Sequence, residues 1–585
     1  MQSNIGLLSH GCRKEDEMKK YFTNTKPLCS LLLGAILATA PLSALSAPDS
    51  SRPDAGQLLQ GTERSEQKLP DKARNPVAVT DEARLPLTAA GDVKFVVNDV
   101  RVTGQDLLPE SEINNLIGYL KQQEVTLAGL EQAADRITQR LRALGYIVAT
   151  AYVPAQEIRD GIVEIAVLMG RYDQIIIKNG TDITNSIIQR EMGSVKTGAV
   201  IERKSLERAV WLLGDLANTE AKAVLKPGSK TGTSNLEVNL LPRGNRVTGQ
   251  IAADNFNNFY TRSEEGSITL EIANIGSQGD RLSVRGLSSG VGGLSNGSIS
   301  WQTPTGEGQK VSVGYSKLNY SLGDIFAANG SHGTANVASI EWKTTFKRSP
   351  WNNFYGTIRF EDKELYDFIT VGAEKHKKNR LLTVGINGDA TDSRGISSYS
   401  LTYSTGKLNI ITPDARATDD KTARANGTYG KYNISVSRYQ QLRDKLTLQV
   451  SISGQMATKN LDSSEKMSLG GAYGVRAYPQ GEASGDEGYL ASAELRWTTP
   501  WSKAGNSTWQ MGLFVDAGSV NEFKNPYQAG ADNTRSLYGA GIGLHWYRGS
   551  EWAAHLNYAW KIHGQEDKSA PDRNGRLWLQ CVRYF

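Results

Sequence analysis

The stretch that decides the fold is HLNYAWKI, residues 555–562, near the end of the 585-residue chain. On an extended chain its apolar side chains share one face, the set being Leu556, Tyr558, Trp560 and Ile562. Successive side chains of a strand point to opposite faces, so this alternation predicts a β-strand with one apolar face. KLTLQVSISG (445–454) and GSITLEIANIG (266–276) repeat the pattern. A long series of such strands, each of about ten residues, is typical of a transmembrane β-barrel with lipid outside and water inside.

Composition argues against other classes of protein. The chain has 66 basic and 61 acidic residues, a balance too even to indicate nucleic acid as a partner. Hydrophobic residues make up 39% of the chain, and no run reaches the roughly 20 apolar residues that a spanning helix needs. Residues 245–585 leave room for on the order of 16 strands, at about 20 residues per strand with its connection. A barrel of that size leaves an aqueous lumen.

The N-terminus has the pattern of a signal peptide, residues 1–47, with Met18 as an alternative start. A basic pair follows Met18, an apolar core spans 28–40, and small residues precede the expected cleavage near Ala47. Cleavage leaves Cys581 as the only cysteine, so no intramolecular disulfide is expected.

Four further segments divide the rest of the chain. Residues 48–69 predict a short polar helix, whose leucines are too few to hold it on a core. Residues 70–92 are rich in Pro, Ala, Asp and Thr and predict a linker. Residues 93–170 and 171–244 predict two mixed α and β units on the periplasmic side, each with the order βααββ. The barrel, residues 245–585, follows them.

The helix of the first mixed unit has the clearest helical period. Its apolar positions recur at helical spacing, namely Leu130, Ala134, Ile137, Leu141 and Leu144. Gly145 is expected to end that helix.

Four motifs make this order of segments resemble a known family. PDAGQLLQ (53–60) resembles a plug helix, and YVPAQEIRDGIVEIAVLMG (152–170) the closing strands of a polypeptide-transport-associated (POTRA) domain. GGAYGVRAYPQGEASGDEGY (470–489) resembles a long loop that folds back into the lumen, and GLFVDAGSV (512–520) the strand that receives it. The family is that of the two-partner secretion transporters, Gram-negative outer-membrane exporters of haemolysins, adhesins and contact-dependent toxins.

The resemblance implies a mainly β fold, with a 16-stranded transmembrane β-barrel preceded by a plug helix and two α+β POTRA domains. It implies a transporter that recognises one large exoprotein in the periplasm and exports it, unfolded, through the barrel lumen. The other expected partners are the barrel-assembly machinery and outer-membrane lipid. We expect no catalytic residue, cofactor or metal. Whether the exported partner is a toxin, a haemolysin or an adhesin stays open.

The loop motif of the family appears as Val475-Arg476-Ala477-Tyr478. The family usually has Gly at the position of Ala477, and Gly tolerates a positive φ that Ala does not. The resemblance gives Arg476 the role of a latch, paired with Asp516.

Strand parity places Asp516 inside the lumen without help from the family. In WQMGLFVDAG (509–518) the apolar face is unbroken, so Asp516 points inward together with Phe514, and Gly518 continues that inward face. A carboxylate on the lipid face would be costly. Two alternatives stay open: Glu494, inward on its own strand, competes for Arg476, or Asp516 is simply solvated and the loop lies on the surface.

The chain end fits a final barrel strand that closes on Phe585. Its outward positions are Leu577, Leu579, Cys581 and Phe585, and Arg583 interrupts them where a long side chain can snorkel.

Other functions have weaker support in the sequence. A barrel-assembly insertase usually carries more POTRA domains and no plug helix, and a passive porin has no use for about 150 periplasmic residues. GLSNG (293–297) matches the GxSxG pattern of hydrolases, but a nucleophile elbow needs a strand before it and a helix after it, whereas this is a glycine-rich turn. The six His residues show no metal-binding spacing.

Overall fold

The computed structural model describes residues 52–63, 77–79, 94–369, 373–503, 506–527 and 532–585. The expected signal peptide lies outside these residues, as do most of the expected linker and both ends of the expected plug segment. The first elements are helix α1 (Ala55–Glu63) and strand β1 (Val77–Val79). None of the described helices combines the length and the apolar character that crossing a bilayer requires.

The first α+β unit begins at β2. Its strands are β2 (Lys94–Val97), β3 (Asp99–Thr103), β4 (Gln123–Thr126), β5 (Thr150–Tyr152) and β6 (Ile162–Leu168). Its helices are α2 (Glu110–Ile117) and α3 (Leu127–Ala143), with a 3-10 turn at Gly118–Leu120. Strands β3, β6 and β5 form one sheet in that order, and β2 pairs with β4.

A capping side chain begins helix α3, and a glycine with positive φ follows its end. Thr126 caps it, because its hydroxyl accepts a hydrogen bond from the amide of Gly129 at 3.3 Å. Leu130, Ile137 and Leu141 are buried on the predicted face. Leu144 does not continue that face: the helix ends at Ala143, and Gly145 follows with φ +106°, so Leu144 turns toward solvent.

The second α+β unit packs two helices on one sheet. Its elements are β7 (Arg171–Asn179), α4 (Asn185–Glu191), α5 (Arg203–Gly214), β8 (Thr219–Pro227) and β9 (Thr233–Pro242). The sheet has the order β1-β8-β9-β7, so the isolated strand β1 joins the edge of this unit. Strand β1 runs parallel to β8, with Val77 opposite Ala223. The core under the helices includes Ile188, Leu206, Leu213 and Val238.

Sixteen strands within the described residues close into one barrel, which confirms the predicted fold class. The first eight are β10 (Val247–Asp254), β11 (Glu265–Ala273), β12 (Arg281–Ser288), β13 (Leu294–Gly306), β14 (Gln309–Ser321), β15 (His332–Lys347), β16 (Asn352–Ile369) and β17 (Ala373–Asp392). Then follow β18 (Gly395–Ile410), β19 (Gly427–Arg443), β20 (Leu446–Ala457) and, inside a long loop, the short strands β21 (Met467–Ser468) and β22 (Ser484–Gly485). The last five barrel strands are β23 (Glu487–Thr498), β24 (Ser507–Asn521), β25 (Thr534–Arg548), β26 (Trp552–Gly564) and β27 (Gly575–Tyr584). A further helix, α6 (Pro413–Lys421), lies between β18 and β19.

The alternation read from the sequence is the alternation of the barrel wall. On β24, Leu513 is 62% exposed on the outer face, whereas Phe514 and Asp516 are buried inside. Tyr558, Trp560 and Ile562 on β26 are likewise exposed on the outside. All neighbouring strands of the barrel run antiparallel, so its backbone groups pair around the whole ring.

The chain end closes the ring. Strand β27 pairs with β10, and Phe585 exchanges backbone hydrogen bonds with Gly249 at 2.8 and 3.0 Å. Arg583, expected to snorkel, pairs with Glu551 at 2.5 Å and lies over the ring of Trp552.

The second α+β unit is fastened to the turns at one end of the barrel. Arg348, between β15 and β16, makes a bidentate pair with Asp215 at 2.7 and 2.7 Å. Arg208 of α5 pairs with Glu307 in the turn between β13 and β14. On the expectation that the mixed units are periplasmic, this is the end of the barrel that faces the periplasm.

One carboxylate in this interface is buried. Glu191, at the end of α4, accepts a hydrogen bond from the amide of Gly308 at 2.8 Å. Burial raises the pKa of Glu191 to about 7, and the Gly308 hydrogen bond only partly offsets it. The unit and the barrel therefore meet at a group that titrates near neutral pH.

We expect the stability of this unit to fall as the pH rises through 7. The pKa of Glu191 in the folded state lies above its ordinary value of 4.5, so the folded state binds the proton more tightly, and that stabilisation is lost above pH 7. Glu191→Gln keeps the acceptor for Gly308 and removes the charge, so the variant should unfold at a higher temperature than the wild type at pH 8 and at a similar temperature at pH 5. Thermal unfolding of the purified full chain from pH 5 to 8 measures this.

Glu124→Gln, at an exposed position of β4, is the matched control and should keep the wild-type pH profile. A Glu191→Gln variant with an unchanged profile would show that this carboxylate does not control the interface.

Candidate functional site

The long loop between β20 and β23, residues 458–486, folds back into the lumen. Its strands β21 and β22 form a short hairpin, with Met467 opposite Gly485. Val475, Ala477 and Tyr478 are fully buried. The surface alternative for this loop is therefore wrong, and the motif lies against the inner wall.

Arg476 and Asp516 are brought together by this fold. The guanidinium of Arg476 donates two hydrogen bonds to the Asp516 carboxylate, each at 2.9 Å, and the Arg476 amide donates a third at 3.1 Å. The guanidinium also lies over the ring of Phe514, 3.3 Å from its centroid. Both charged residues are buried, so the pair has a desolvated, planar geometry that fits Arg and not Lys.

Glu494 binds the same guanidinium without displacing Asp516. Its carboxylate accepts from Nη1 of Arg476 at 2.8 Å, whereas Asp516 uses Nε and Nη2. The two carboxylates therefore act together and do not compete. Ser492 adds a hydrogen bond to Asp516 at 2.7 Å.

Three further partners of this cluster, besides Ser492, were not predicted from the sequence. Arg496 and His545 both donate to the second oxygen of Glu494, at 2.7 and 2.8 Å. The indole of Trp578, on the last strand, donates to the carbonyl of Arg476 at 2.7 Å. All three occupy inward positions of their strands, so parity could have nominated them. Parity does not give the position of a residue along the barrel axis, however, so it could not pair these side chains with Glu494 or Arg476.

The barrel wall has room for the methyl group of Ala477, the residue at which the motif departs from that of the family. Ala477 has no positive φ, so its backbone does not require Gly. A Cβ on Gly539, in β25, would come within 2.7 Å of the Ala477 methyl group. Gly518 on β24 similarly makes room for Leu469, which would lie 2.8 Å from a Cβ there.

A second buried ion pair holds the loop beyond its motif. Arg535 of β25 pairs with Glu482 in the loop, and both side chains are almost completely buried. Glu482 also accepts hydrogen bonds from the amides of Lys568 and Ser569, each at 2.9 Å. The loop is thus fixed to the wall at two separate carboxylate–guanidinium contacts.

Helix α1 occupies the lumen beside this loop. Leu58 and Leu59 are buried against the inner wall, in a cluster with Leu318 and Leu365. The expectation that this helix has too few apolar residues to pack on a core is wrong, because two leucines suffice for a nine-residue helix enclosed on several sides.

Each end of α1 contacts a side chain whose charge is opposite to that end of the helix dipole. At the N-terminus, Asp367 accepts from the amide of Ala55 at 2.8 Å. At the C-terminus, Arg285 donates to the carbonyl of Thr62 at 3.0 Å. Carboxylates stabilise the N-terminal end of a helix and guanidinium groups the C-terminal end.

The loop and α1 also contact each other directly. Ser463 donates to the carboxylate of Asp54 at 2.5 Å. Gly56 lies so close to Ser464 that a Cβ at Gly56 would come within 2.6 Å of the backbone nitrogen of Ser464.

No group of His, Cys, Asp and Glu side chains in the described part of the chain is arranged to hold a metal ion.

Comparisons with known protein families match two parts of the chain. Residues 232–546 match the model of the haemolysin secretion/activation protein ShlB/FhaC/HecB, and residues 95–170 match the POTRA domain, ShlB-type.

Curated relatives match over nearly the full length. The heme/hemopexin transporter protein HuxB of Haemophilus influenzae strain 86-028NP is 27% identical over 571 residues, which cover 96% of this chain and 100% of HuxB. The outer membrane transporter CdiB of Escherichia coli O6:K15:H31 is 24% identical, with coverage of 92% and 90%.

Solved structures show the same fold. CdiB from Escherichia coli superposes with a TM-score of 0.70 over 100% of both chains, at 19% identity. CdiB from Acinetobacter baumannii has a TM-score of 0.63 over 98% of both chains, at 18% identity.

The geometry of the Arg476 cluster predicts unequal losses for its members. Arg476→Ala leaves both Asp516 and Glu494 without their shared cation, whereas Asp516→Ala leaves Arg476 paired with Glu494. Removing one partner of a buried pair typically costs about 3–5 kcal/mol. We expect Arg476→Ala to lower the unfolding temperature of the barrel more than Asp516→Ala, and the double variant to be no worse than Arg476→Ala alone.

Heat-modifiability on gels measures these unfolding temperatures in the purified protein. Arg416→Ala, which breaks an exposed pair with Asp420 in α6, is the control and should have no effect. Strictly additive losses in the double variant would mean that Arg476 and Asp516 do not act as a unit.

Proposed function

We propose that this chain, which belongs to the haemolysin secretion/activation protein family ShlB/FhaC/HecB, exports one large unfolded exoprotein through a lumen that α1 closes at rest. The chain is an outer-membrane transporter of two-partner secretion, and its POTRA domains lie in the periplasm. Proteins of this family are transporters and not enzymes, and we extend that to this chain.

The observation that carries the proposal is the position of α1 inside the barrel. A nine-residue helix is buried on the wall, matched in charge at both ends and packed on the lumen loop. A porin would gain nothing from such an obstruction. An exporter needs one, because an open lumen wide enough for a polypeptide would leak small solutes.

The polar character of the contacts around α1 fits a plug that must leave. Apart from the packing of Leu58 and Leu59, its attachments are hydrogen bonds and ion pairs, such as those of Asp54 to Lys377 at 3.4 Å and to Ser463 at 2.5 Å. Water or a passing polypeptide can replace such partners, whereas a large apolar interface would be costly to expose. We infer that the substrate displaces α1 and that its folding outside the cell supplies the driving energy.

The edge of the second POTRA sheet supports capture of an extended substrate. Strand β8 already accepts β1 as a parallel neighbour at this edge. When a strand of an unfolded partner replaces β1, the same backbone amides and carbonyls can pair with it, which is the β-augmentation mode of recognition. We infer that the exoprotein binds the POTRA domains in this way before it enters the lumen.

The remaining partners follow from the barrel. We infer that the barrel-assembly machinery inserts it, with the C-terminal Phe585 as part of its signal, and that outer-membrane lipid covers its apolar face. HuxB is named for heme and hemopexin, whereas the name of CdiB carries no cargo. A barrel-assembly insertase is the alternative function, and an isolated plug helix in the lumen argues against it.

Opening of the pore tests the role of α1. Gly56→Ala places a methyl group against the backbone of Ser464, so α1 cannot dock as it does in the wild type, and we expect a higher single-channel conductance in planar bilayers. Deletion of residues 53–63 removes the helix entirely and should give the highest single-channel conductance of the series. Gly214→Ala, in the POTRA helix α5 where a Cβ meets open space, is the matched control and should conduct like the wild type. Unchanged conductance after the deletion would mean that α1 does not close the pore.

Export itself tests the role of the POTRA domains. Removing residues 94–168, which contain the first α+β unit, should abolish secretion of the exoprotein while the barrel still assembles. Secretion into the medium and heat-modifiability of the barrel measure the two effects separately. Continued secretion by the shortened chain would exclude recognition by this unit.

A further inference from the structure

The outer wall of the barrel changes from apolar to charged at one level on three neighbouring strands. Phe360 on β16, Leu382 on β17 and Tyr403 on β18 are exposed and apolar or aromatic. The next charged outward residues toward the cell surface are Asp362, Arg380 and Lys407. This end of the barrel is opposite to the turns that hold the second POTRA domain, so the change marks the outer leaflet.

Two cations face each other at this level. Arg380 and Lys407 are direct cross-strand partners in the register of β17 and β18, and both side chains are exposed. Directly opposite side chains have Cβ atoms about 4.5–5.5 Å apart, and like charges in that position are destabilising. Lys378 adds a third cation, because it is the next outward residue on β17.

The neighbouring carboxylates do not neutralise these cations. Asp362 contacts Arg380 at 3.4 Å, but the two side chains are 41% and 68% exposed, so water screens the pair. Glu364 contacts Lys378 at 3.0 Å and also accepts from His376. Within the described ranges Lys407 has no carboxylate partner. Three cations therefore face two carboxylates, and the excess charge lies between β17 and β18.

An anion bound between Arg380 and Lys407 would remove this repulsion. The guanidinium matches two oxygens of a phosphate, and an ammonium supplies a point charge beside it. The site lies where the apolar belt ends, with Leu382 and Tyr403 below it to contact acyl chains. In an outer membrane the phosphates of the outer-leaflet glycolipid lie at that boundary, and basic clusters beside a membrane-spanning surface are typical of headgroup sites.

We propose that Arg380 and Lys407 bind a phosphate group of lipopolysaccharide on the outer wall of the barrel. Bound glycolipid would join β17 to β18 electrostatically, below the loop that carries α6. The site faces lipid and not the lumen, so it is separate from the plug and from the Arg476 cluster.

The probe is lipid A added to the purified full chain in detergent, with the unfolding temperature read by heat-modifiability. We expect lipid A that carries its phosphates to raise that temperature by about 3 °C or more, as a ligand of the folded state does. Dephosphorylated lipid A should raise it less, and inorganic phosphate at the same concentration should not raise it. An equal rise with inorganic phosphate alone, or with dephosphorylated lipid A, would overturn the proposal.

Variants separate binding from folding. Lys407→Glu turns the repulsive pair into an attractive one, so the variant should be at least as stable as the wild type without lipid and should lose the rise with lipid A. Arg380→Ala combined with Lys407→Ala should lose it too. Lys445→Ala, an exposed lysine in a periplasmic turn, is the control and should keep the full rise. A full rise with Lys407→Glu would refute the site.

Discussion

The constraint on which this structure depends is that every second side chain of sixteen strands must meet hydrocarbon while every backbone amide stays paired. Closure of the ring from β27 onto β10 meets the backbone requirement, because no strand edge faces lipid. Apolar side chains at the outward positions meet the requirement for contact with hydrocarbon. The polar and charged side chains of the barrel are therefore confined to inward positions, to loops, and to the levels where the apolar belt ends.

Confinement explains why the lumen holds so many paired charges. A polypeptide pathway needs a polar wall, but polar walls facing one another across a closed lumen must find partners or water. The folded-in loop and α1 supply those partners. Glu465 of the loop, for example, is held by Lys363 of β16 at 3.0 Å and Lys431 of β19 at 2.7 Å. The closed state is thus stabilised by the groups that would line the open path.

Sequence parity predicted which residues face the lumen, and it failed to predict which of them meet. It placed Asp516 inward and the wall residues of β24 and β26 outward, because a period of two is a local property of the chain. It treated Glu494 as a rival of Asp516, because the height of each residue depends on the register between strands. It undervalued Leu58 and Leu59, because the apolar surface that buries them belongs to distant strands.

The loop and helix α1 cannot be independent of each other. Asp54 and Gly56 of the plug segment contact Ser463 and Ser464, and the same loop continues to Arg476 and its two carboxylates. In the proposed mechanism, a substrate that moves α1 removes the contacts of Ser463 and Ser464 with the helix first, while the Arg476 cluster still holds the motif to β23 and β24. That cluster is buried and held by several hydrogen bonds, and opening it is costly because Arg476 would leave two carboxylates behind. The architecture thus favours an order of opening in which the plug leaves before the motif.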